Sequence, residues 1–475
     1  MSAPLPNLLV LMTDDHGAWA AGCYGNREIR TPNLDYLARS GLRATRAFTP
    51  SPVCSPARAC FFTGLLPSQH GIHDWLAEDP ARPRNWLEGC TTLAQILQAR
   101  GYRTGLVGKW HCGNSHQPQP GFDYWLGYAR GQYPHCGTQR LVENGRAFEH
   151  EGRQAPFLTA KAAEFLRAGE RNRPFFLFLG LVDTHSPFVG HPERLVAHYR
   201  RAGFGDIPRE DPAPGPGWVR FGVPADEGRR REWLAQYYAA VTLLDEQVGR
   251  LLDELDGTGQ LDRTLVLYTS DHGHMNGHHG LYTKGNASVP QNLFDESIRV
   301  PLLARLPGVI PAGLELAAPV DHCDLFQTLL EAAQAPSPPG VDYPGRSYWP
   351  LATGRDQPWR DRQFCEYGNA RMVRTERWKY IRRLAPHEHF ADELYDLEAD
   401  PRERWNLLAD GAPGPDVAAR LRGEIDSHFT RFEAPGRSGA RILELPPQNA
   451  GEPWRLSRPA ATPPEGSEWR VLAGY

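Results

Sequence analysis

The 475-residue chain lacks an excess of charge of either sign: its formal net charge is −4 at pH 7. No basic field is present to draw nucleic acid or an anionic membrane, so neither is expected as a partner, and any polyanion must bind locally. A signal-like start is also missing. Met1-Ser2-Ala3-Pro4-Leu5-Pro6 carries no basic residue and passes into the apolar run Asn7 to Met12, with about six apolar residues, too few for an export signal or a membrane span. That run reads as a buried first strand, and export by a Sec signal is not expected. Regular cysteine spacing is absent as well. The eight cysteines, at 23, 54, 60, 90, 112, 136, 323 and 365, are scattered rather than framed for disulfides, and a reducing, cytoplasmic setting is expected. No internal repeat appears. What is present is an apolar fraction of 40%, ordinary for a soluble enzyme, on a chain long enough for one large domain and a smaller companion.

Short apolar runs that end in polar residues alternate with helical patterns, as parallel strands joined by helices do. Leu8–Met12 ends at Thr13-Asp14-Asp15, Arg103–Val107 at Gly108-Lys109, Phe175–Val182 at Asp183-Thr184-His185, and Leu265–Thr269 at Ser270-Asp271-His272. In an open α/β sheet that edge is where ligands bind. Helices are predicted between: one opened by Thr31-Pro32-Asn33 and closed by Gly41, one over Thr92–Arg100, and a long one over Trp233–Leu255. From about Leu351 the pattern changes to short strands, Phe364–Tyr367, Met372–Thr375 and Trp378–Ile381, followed by a helix near Val417–Phe432. The division expected is 1–350 for the main domain, 351–433 for an antiparallel-sheet subdomain and 434–475 for an extended tail rich in Pro, Gly and Arg. The tail is a surface arm or partly disordered, and is also a candidate dimer arm in a homo-oligomer. Pro212–Pro216 reads as a surface loop.

The polar groups at the strand ends carry the chemistry. Asp14 and Asp15 are adjacent carboxylates after a buried strand, where their repulsion calls for a cation. Asp271-His272-Gly273 supplies a second such pair, and together they suit one metal ion with oxygen ligands and one imidazole: Ca²⁺ or Mg²⁺, with Mn²⁺ open. Cys54 lies in Cys54-Ser55-Pro56-Ala57-Arg58, followed by Thr63-Gly64. A cysteine serving only the core needs no proline two residues on, no arginine four on and no helix-breaking Thr-Gly at a set distance. Gly101-Tyr102-Arg103-Thr104 precedes Gly108-Lys109-Trp110-His111, and Asp183-Thr184-His185-Ser186-Pro187 and Lys284 follow later strands. His274, His278 and His279 are close enough to suggest zinc, but their loop offers no cysteine partner, which favours loop and substrate contacts.

The pattern C-x-P-x-R…T-G, with G-Y-x-T…G-K-x-x-H, resembles the signatures of the type I, formylglycine-dependent sulfatases of the alkaline phosphatase superfamily. The resemblance runs from Asn7 to about Leu408 and includes Phe294–Pro301 and Glu393–Leu397. It implies an α/β fold with a large mixed, mostly parallel sheet flanked by helices, and a smaller C-terminal α+β subdomain with an antiparallel sheet. It also implies that a formylglycine-generating enzyme converts Cys54 to formylglycine. One hydroxyl of its hydrate would attack sulfur, and proton loss from the other would expel sulfate as the aldehyde reforms. Arg58 would steady the hydrate, Lys109 and Lys284 would meet sulfate oxygens, and His111 would act as a base on the hydroxyl. His185 would protonate the leaving oxygen or contact the sulfate. Asp14, Asp15, Asp271, His272 and residue 54 would hold the metal, with Ca²⁺ favoured, although many members have Asn where His272 stands. The substrate would be a sulfated small molecule or saccharide, with a carbohydrate sulfate ahead of an aryl sulfate. Trp86, Trp110, Trp125, Tyr128 and the segment His70–Trp75 are candidates for a sugar-binding mouth. A phosphonate or phosphate ester hydrolase of the same superfamily is the alternative activity, and a non-catalytic binding protein keeping the fold is the alternative class.

Overall fold

A computed structural model describes residues 5–131, 135–170, 172–210, 217–224, 226–409 and 416–456. The four apolar runs form strands β1 (Asn7–Thr13), β2 (Arg103–Gly108), β3 (Phe175–Leu181) and β4 (Thr264–Ser270). They are parallel and adjacent, in the order β4-β1-β3-β2. β1, β3 and β4 are buried along their whole length, which is why they read as continuous apolar runs rather than alternating ones. Among the described residues this core extends to ten strands. Tyr124–Tyr128 adds a fifth parallel strand beside β2, and Leu302–Arg305 pairs antiparallel with β4. The result is the mixed, mostly parallel sheet expected.

Helices cover both faces. The helix α1 (Cys54–Thr63) is buried at all ten positions. It stops at Gly64, whose φ of +70° is left-handed and whose N–H returns to the Cys60 carbonyl, so the Thr-Gly pair of the motif is a helix C-terminus. A Cβ at Gly64 would stand 2.5 Å from the Phe326 ring, a second reason for glycine there. The long helix α2 (Glu227–Gly257) carries a buried stripe including Trp233, Tyr237, Val241 and Leu244. The C-terminal unit is a four-stranded antiparallel sheet, Gln363–Tyr367, Ala370–Arg374, Trp378–Arg383 and Glu393–Asp396, backed by the helix α3 (Asp416–Phe432). Its own core joins Val373, Tyr380 and Leu394 to Leu421, Ile425 and Phe429. Residues 434–456 pack on this chain, with Ile442 and Trp454 buried. Pro212–Pro216 and 457–475 lie outside the described residues.

Trp110, Trp125 and Tyr128 do not form a mouth. All three are core residues, and Trp110 and Trp125 belong to one aromatic cluster with Phe62 and Phe122. Long apolar rings flanking a sheet are drawn to the interior by area alone. In the segment His70–Trp75, His70, His73 and Asp74 are buried too.

Candidate active site

The C-terminal ends of β1, β2, β3 and β4 deliver Asp14 and Asp15, Lys109, Asp183 to His185, and Asp271 and His272 to one edge of the sheet. α1 points its N-terminal residue, Cys54, into the same space, so its free N–H groups and dipole favour negative charge at that position. Two backbones bend sharply there: Asp15 and His111 hold φ of +52° and +56°, strained for non-glycine residues. The Asp15 carbonyl accepts the Tyr237 hydroxyl at 2.8 Å, and the Thr184 hydroxyl bonds to the Asp14 carbonyl. Ser270 Oγ accepts the His16 amide at 3.0 Å and donates to the His272 carbonyl at 2.8 Å. Tyr237, Thr184, Ser270 and His16 were not identified from sequence. Only the Thr and Ser lie within the strand-end runs, where a polar residue after an apolar strand was the available signal.

The catalytic and metal-binding candidates Asp14, Asp15, Cys54, Arg58, Lys109, His111, His185, Asp271, His272 and Lys284 converge here. Cys54 Sγ lies 3.1 Å from Lys284 Nζ, 3.3 Å from His272 Nε2 and 3.4 Å from Asp14 Oδ1. Lys109 pairs with Asp14, Lys284 with Asp15 Oδ1 at 2.9 Å, and Arg58 Nε with Asp271 Oδ2 at 2.8 Å. Arg58 also donates to the Lys109 carbonyl at 2.8 Å, fixing α1 to the loop after β2. His111 Nε2 meets the Leu76 carbonyl at 3.0 Å. A carbonyl only accepts, so Nε2 carries the hydrogen, and the Nδ1 lone pair is left for residue 54. His185 Nδ1 donates to the Ser186 carbonyl at 2.6 Å, and its Nε2 lies 3.8 Å from Asp15 Oδ2. Its side chain is 16% exposed, against 7% for Lys284 and 2% or less for Asp14, Asp15, Arg58, Asp271 and His272, so the site opens on the His185 side. His274 is enclosed by Phe188, Tyr237 and Tyr282, His278 donates to the Met275 carbonyl, and His279 faces Glu296, so these three histidines do not meet at one point.

The charges tune one another. Burial raises the Cys54 thiol, but Lys109, Lys284 and His272 overcome it and hold the group well below its ordinary value. Burial lowers His111 and Lys109 lowers it further, leaving a neutral imidazole able to take a proton. For His185, burial and Lys284 act downward, yet Asp15 and Asp14 prevail, and its pKa is raised. His111 and His185, shifted in opposite directions, have the arrangement of a base and an acid, with His272 a second elevated imidazole beside them.

Asp14, Cys54, Asp271 and His272 offer ligand atoms within 4.8 Å of one another, and Asp14, Asp15 and His185 form an overlapping group. Asp14 and Asp271 each spend Oδ2 on a cationic side chain and turn Oδ1 to His272 Nε2, at 3.6 and 3.5 Å. Burial pulls His272 down, but Asp271 lifts it to about 9, so an imidazolium supplies the positive charge that this cluster demands. The donor set and its demand for charge fit a divalent cation with oxygen ligands. The three aspartates are already balanced by Lys109, Lys284 and Arg58.

The comparisons with known proteins agree with this geometry. The sulfatase family model matches residues 6–335, and the model of the N-sulphoglucosamine sulphohydrolase C-terminal region matches residues 277–429. Human arylsulfatase A is 30% identical over 485 residues, covering 88% of this chain and 86% of its own. The N-acetylglucosamine-6-O-sulfatase of Bacteroides thetaiotaomicron is 26% identical over 488 residues, covering 85% and 82%. A solved structure of a protein in complex with its substrate D-glucosamine-2-N,6-O-disulfate shares the fold, with a TM-score of 0.79, 24% identity and coverage of 91% of this chain and 99% of its own. Matched over most of its length by the family, and carrying Cys54, buried cations and imidazoles on one sheet edge, the chain belongs to the sulfatases of the alkaline phosphatase superfamily and is a sulfuric ester hydrolase.

Proposed function

We propose that the protein hydrolyses a sulfate ester of a carbohydrate, with residue 54 acting as formylglycine and one divalent cation held by Asp14, Asp15, Asp271, His272 and residue 54. The observation that carries this reading is the convergence of Lys284, His272 and Asp14 on the Cys54 sulfur, which stands where the formylglycine hydroxyls would be. A thiol that took up the sulfuryl group would have no internal route to release it, whereas a hydrated aldehyde has a second hydroxyl to expel it. The cation, for which the oxygen-rich set favours Ca²⁺ over Mg²⁺ or Mn²⁺, would lower the pKa of the hydroxyl at residue 54 and draw charge from a sulfate oxygen.

The chain's own groups do the rest. Lys109 and Lys284 present positive charge to the non-bridging oxygens, and Arg58 holds Asp271 and the end of β2 in place. His111 takes a proton from the hydroxyl at residue 54 through Nδ1. His185, at the open side, gives its proton from Nε2 to the departing alcohol oxygen. The sugar sulfatase among the relatives supports a carbohydrate substrate. The seven other cysteines, all unpaired, support a reducing, cytoplasmic setting.

Coexpression with a formylglycine-generating enzyme followed by peptide mass analysis tests the modification: formylglycine is ~18 Da lighter than cysteine by the atom balance of the conversion. Sulfate release from sulfated mono- and disaccharides is then compared with turnover of an aryl sulfate and a phenylphosphonate ester. The expected order is saccharide sulfate, aryl sulfate, phosphonate; a phosphonate turned over fastest would replace this reading with the phosphonate hydrolase one.

A further inference from the structure

We infer that residues 434–456, beyond the stretches that either family model matches, form a strap that positions the base His111, and that Gln448 is its positioning residue. The inference rests on the reading of His111 as the base at residue 54.

Gln448, itself 6% exposed, is bonded to one short loop through every polar group of its side chain and through its own carbonyl. Its Oε1 accepts the amides of His73 at 2.9 Å and Asp74 at 2.7 Å, and its Nε2 donates to the Gly71 carbonyl at 3.0 Å. Its main-chain carbonyl accepts the Ala77 amide at 3.0 Å, and the neighbouring Asn449 Nδ2 donates to the Trp75 carbonyl at 2.7 Å. Between these ties sits Leu76, whose backbone turns toward the site. Its amide is held by Ser55 Oγ at 3.0 Å, next to Cys54, and its carbonyl receives His111 Nε2 at 3.0 Å. The loop is therefore fixed from one side by the strap and from the other by the nucleophile's neighbour, and what it presents is the one acceptor that sets the His111 tautomer.

The strap is anchored in its turn. The Gln448 amide donates to Glu452 Oε1 at 2.7 Å, and Glu452 Oε2 accepts the Trp454 indole at 3.0 Å. Trp454 is buried against Gly368, where an added Cβ would stand 2.1 Å from the indole ring. Farther back, His73 Nε2 meets the Arg437 carbonyl at 2.7 Å, and the Gly439 amide donates to Ser68 Oγ at 3.1 Å. Buried hydrogen bonds to backbone groups are costly to leave unmade, so the loop's register follows the strap's. Freed from Gln448, the Leu76 carbonyl no longer holds Nε2–H, and Nδ1 is no longer aimed at residue 54.

The test compares Gln448→Ala with Gln448→Glu in the full, formylglycine-bearing enzyme, using an aryl sulfate. A carboxyl at 448 still accepts both loop amides through one oxygen and, when protonated, donates from the other to the Gly71 carbonyl in place of Nε2–H, so Gln448→Glu, assayed on the acid side where the buried carboxyl keeps its proton, is the rescuing variant. Gln448→Ala is expected to lower kcat roughly 10- to 100-fold, the scale of a misplacement of about 1 Å. KM should stay within about twofold, since substrate binding is untouched. Hydrogen exchange should rise together in the peptides spanning 71–77 and His111, and Gln448→Glu should restore most of both. The inference is overturned if kcat holds while 71–77 loosens, if KM moves as much as kcat, or if Gln448→Glu is as impaired as Gln448→Ala. If Gln448→Ala does not fold, Asn449→Ala releases the Trp75 carbonyl on the loop and the Gly451 amide within the strap; it must show the same kcat-only loss in smaller measure, and unchanged kcat overturns the strap. Absence of sulfate release by the wild-type enzyme would sink the proposed function instead, and the coupling of exchange between 71–77 and the His111 peptide would then decide the strap without any activity.

Discussion

At residue 54 buried cations converge on a sulfur atom, whereas at residue 295 they converge on a carboxylate. Asp295 accepts Arg374 through Nε at 3.0 Å and Nη2 at 2.9 Å and Lys379 Nζ at 2.8 Å, and its amide donates to Glu403 Oε2 at 2.7 Å. Lys379 also pairs with Glu403 and donates to the Leu293 carbonyl at 2.9 Å, while Glu296 faces His279 at 3.3 Å. This second cluster ties the main domain's 293–299 segment to the C-terminal sheet. His279, Glu296 and Glu403 bring metal-ligand types together there, but the Lys379 ammonium already supplies the cation. Burial would raise Asp295, yet Lys379, Arg374 and Arg299 hold it well below the carboxylate range, so the cluster is complete within the chain. At residue 54 the cations gather instead around a sulfur whose thiol they hold well below its ordinary value, and the imidazoles of His111 and His185 are shifted in opposite directions. Buried charge alone therefore does not mark a catalytic site; what marks it is a hub atom that can react.

The largest expected effect separates the two hubs. Cys54→Ala should abolish turnover while the protein still unfolds cooperatively, because Lys284, His272 and Asp14 keep Asp15, Asp271 and Lys109 as partners once the sulfur is gone. Measurable turnover by this variant on a saccharide or aryl sulfate would remove residue 54 from the centre of the reaction. Next come the cations around it. Lys109→Ala and Lys284→Ala should each lower kcat by ~10²–10³, the scale for a group that stabilises charge in the transition state. Near wild-type kcat in either variant would return that lysine to a structural role.

At residue 295 the prediction inverts. Lys379→Met leaves Asp295 and Glu403 buried beside each other without their ammonium, and breaking a buried pair from one side costs about 3–5 kcal/mol. Denaturant unfolding should show that loss, while kcat per folded molecule stays at the wild-type level. A kcat loss comparable to that of Lys284→Ala, with stability kept, would mean that the joint communicates with the site and that the two clusters are not separable.

The asymmetry also explains what could be read from the chain. β1, β3 and β4 were legible because strands covered on both faces are largely apolar, and the ends of β1 to β4 were legible because each run stops at a polar residue that no core would tolerate without use. The motif around Cys54 showed itself because Pro56, Arg58 and Gly64 are each required at a fixed step along one helix. The joint was half legible: Asp295 and Glu296 stand in the recognisable run Phe294–Pro301, but the pairing of Asp295 with Lys379 and Arg374 is made by strands docking, not by local spacing. The strap was not legible at all, since Gln448 meets His73 across 375 positions through backbone amides that leave no residue signature. Trp110 and Trp125 misled for the opposite reason: an aromatic beside a site motif looks like a binding ring, although area alone drives it inward.

The smallest effect is the one that sharpens the contrast within the site itself. Burial holds His16, behind the Asp14 turn, at about 4, while His272, beside Asp271, is lifted to about 9. Between about pH 6.5 and 4 the unfolded chain binds a proton at His16 that the folded chain refuses, so stability falls as pH drops through that window. His272 works the other way. Its folded value lies above the unfolded one, so its contribution is full below about 6.5 and is lost as pH rises through about 9. Each group adds a slope of about 1.4 kcal/mol per pH unit within its window. Denaturant unfolding from pH 4 to 10 in the presence of a chelator should therefore show both limbs, and His272→Asn should shrink the alkaline limb to the part that the raised His185 adds while leaving the acid limb in place. Saturating Ca²⁺ should flatten the alkaline limb as well, because an imidazole that binds a cation is already neutral. An alkaline limb that survives saturating Ca²⁺ unchanged would take His272 out of the ligand set and leave it as the charge partner of Asp271.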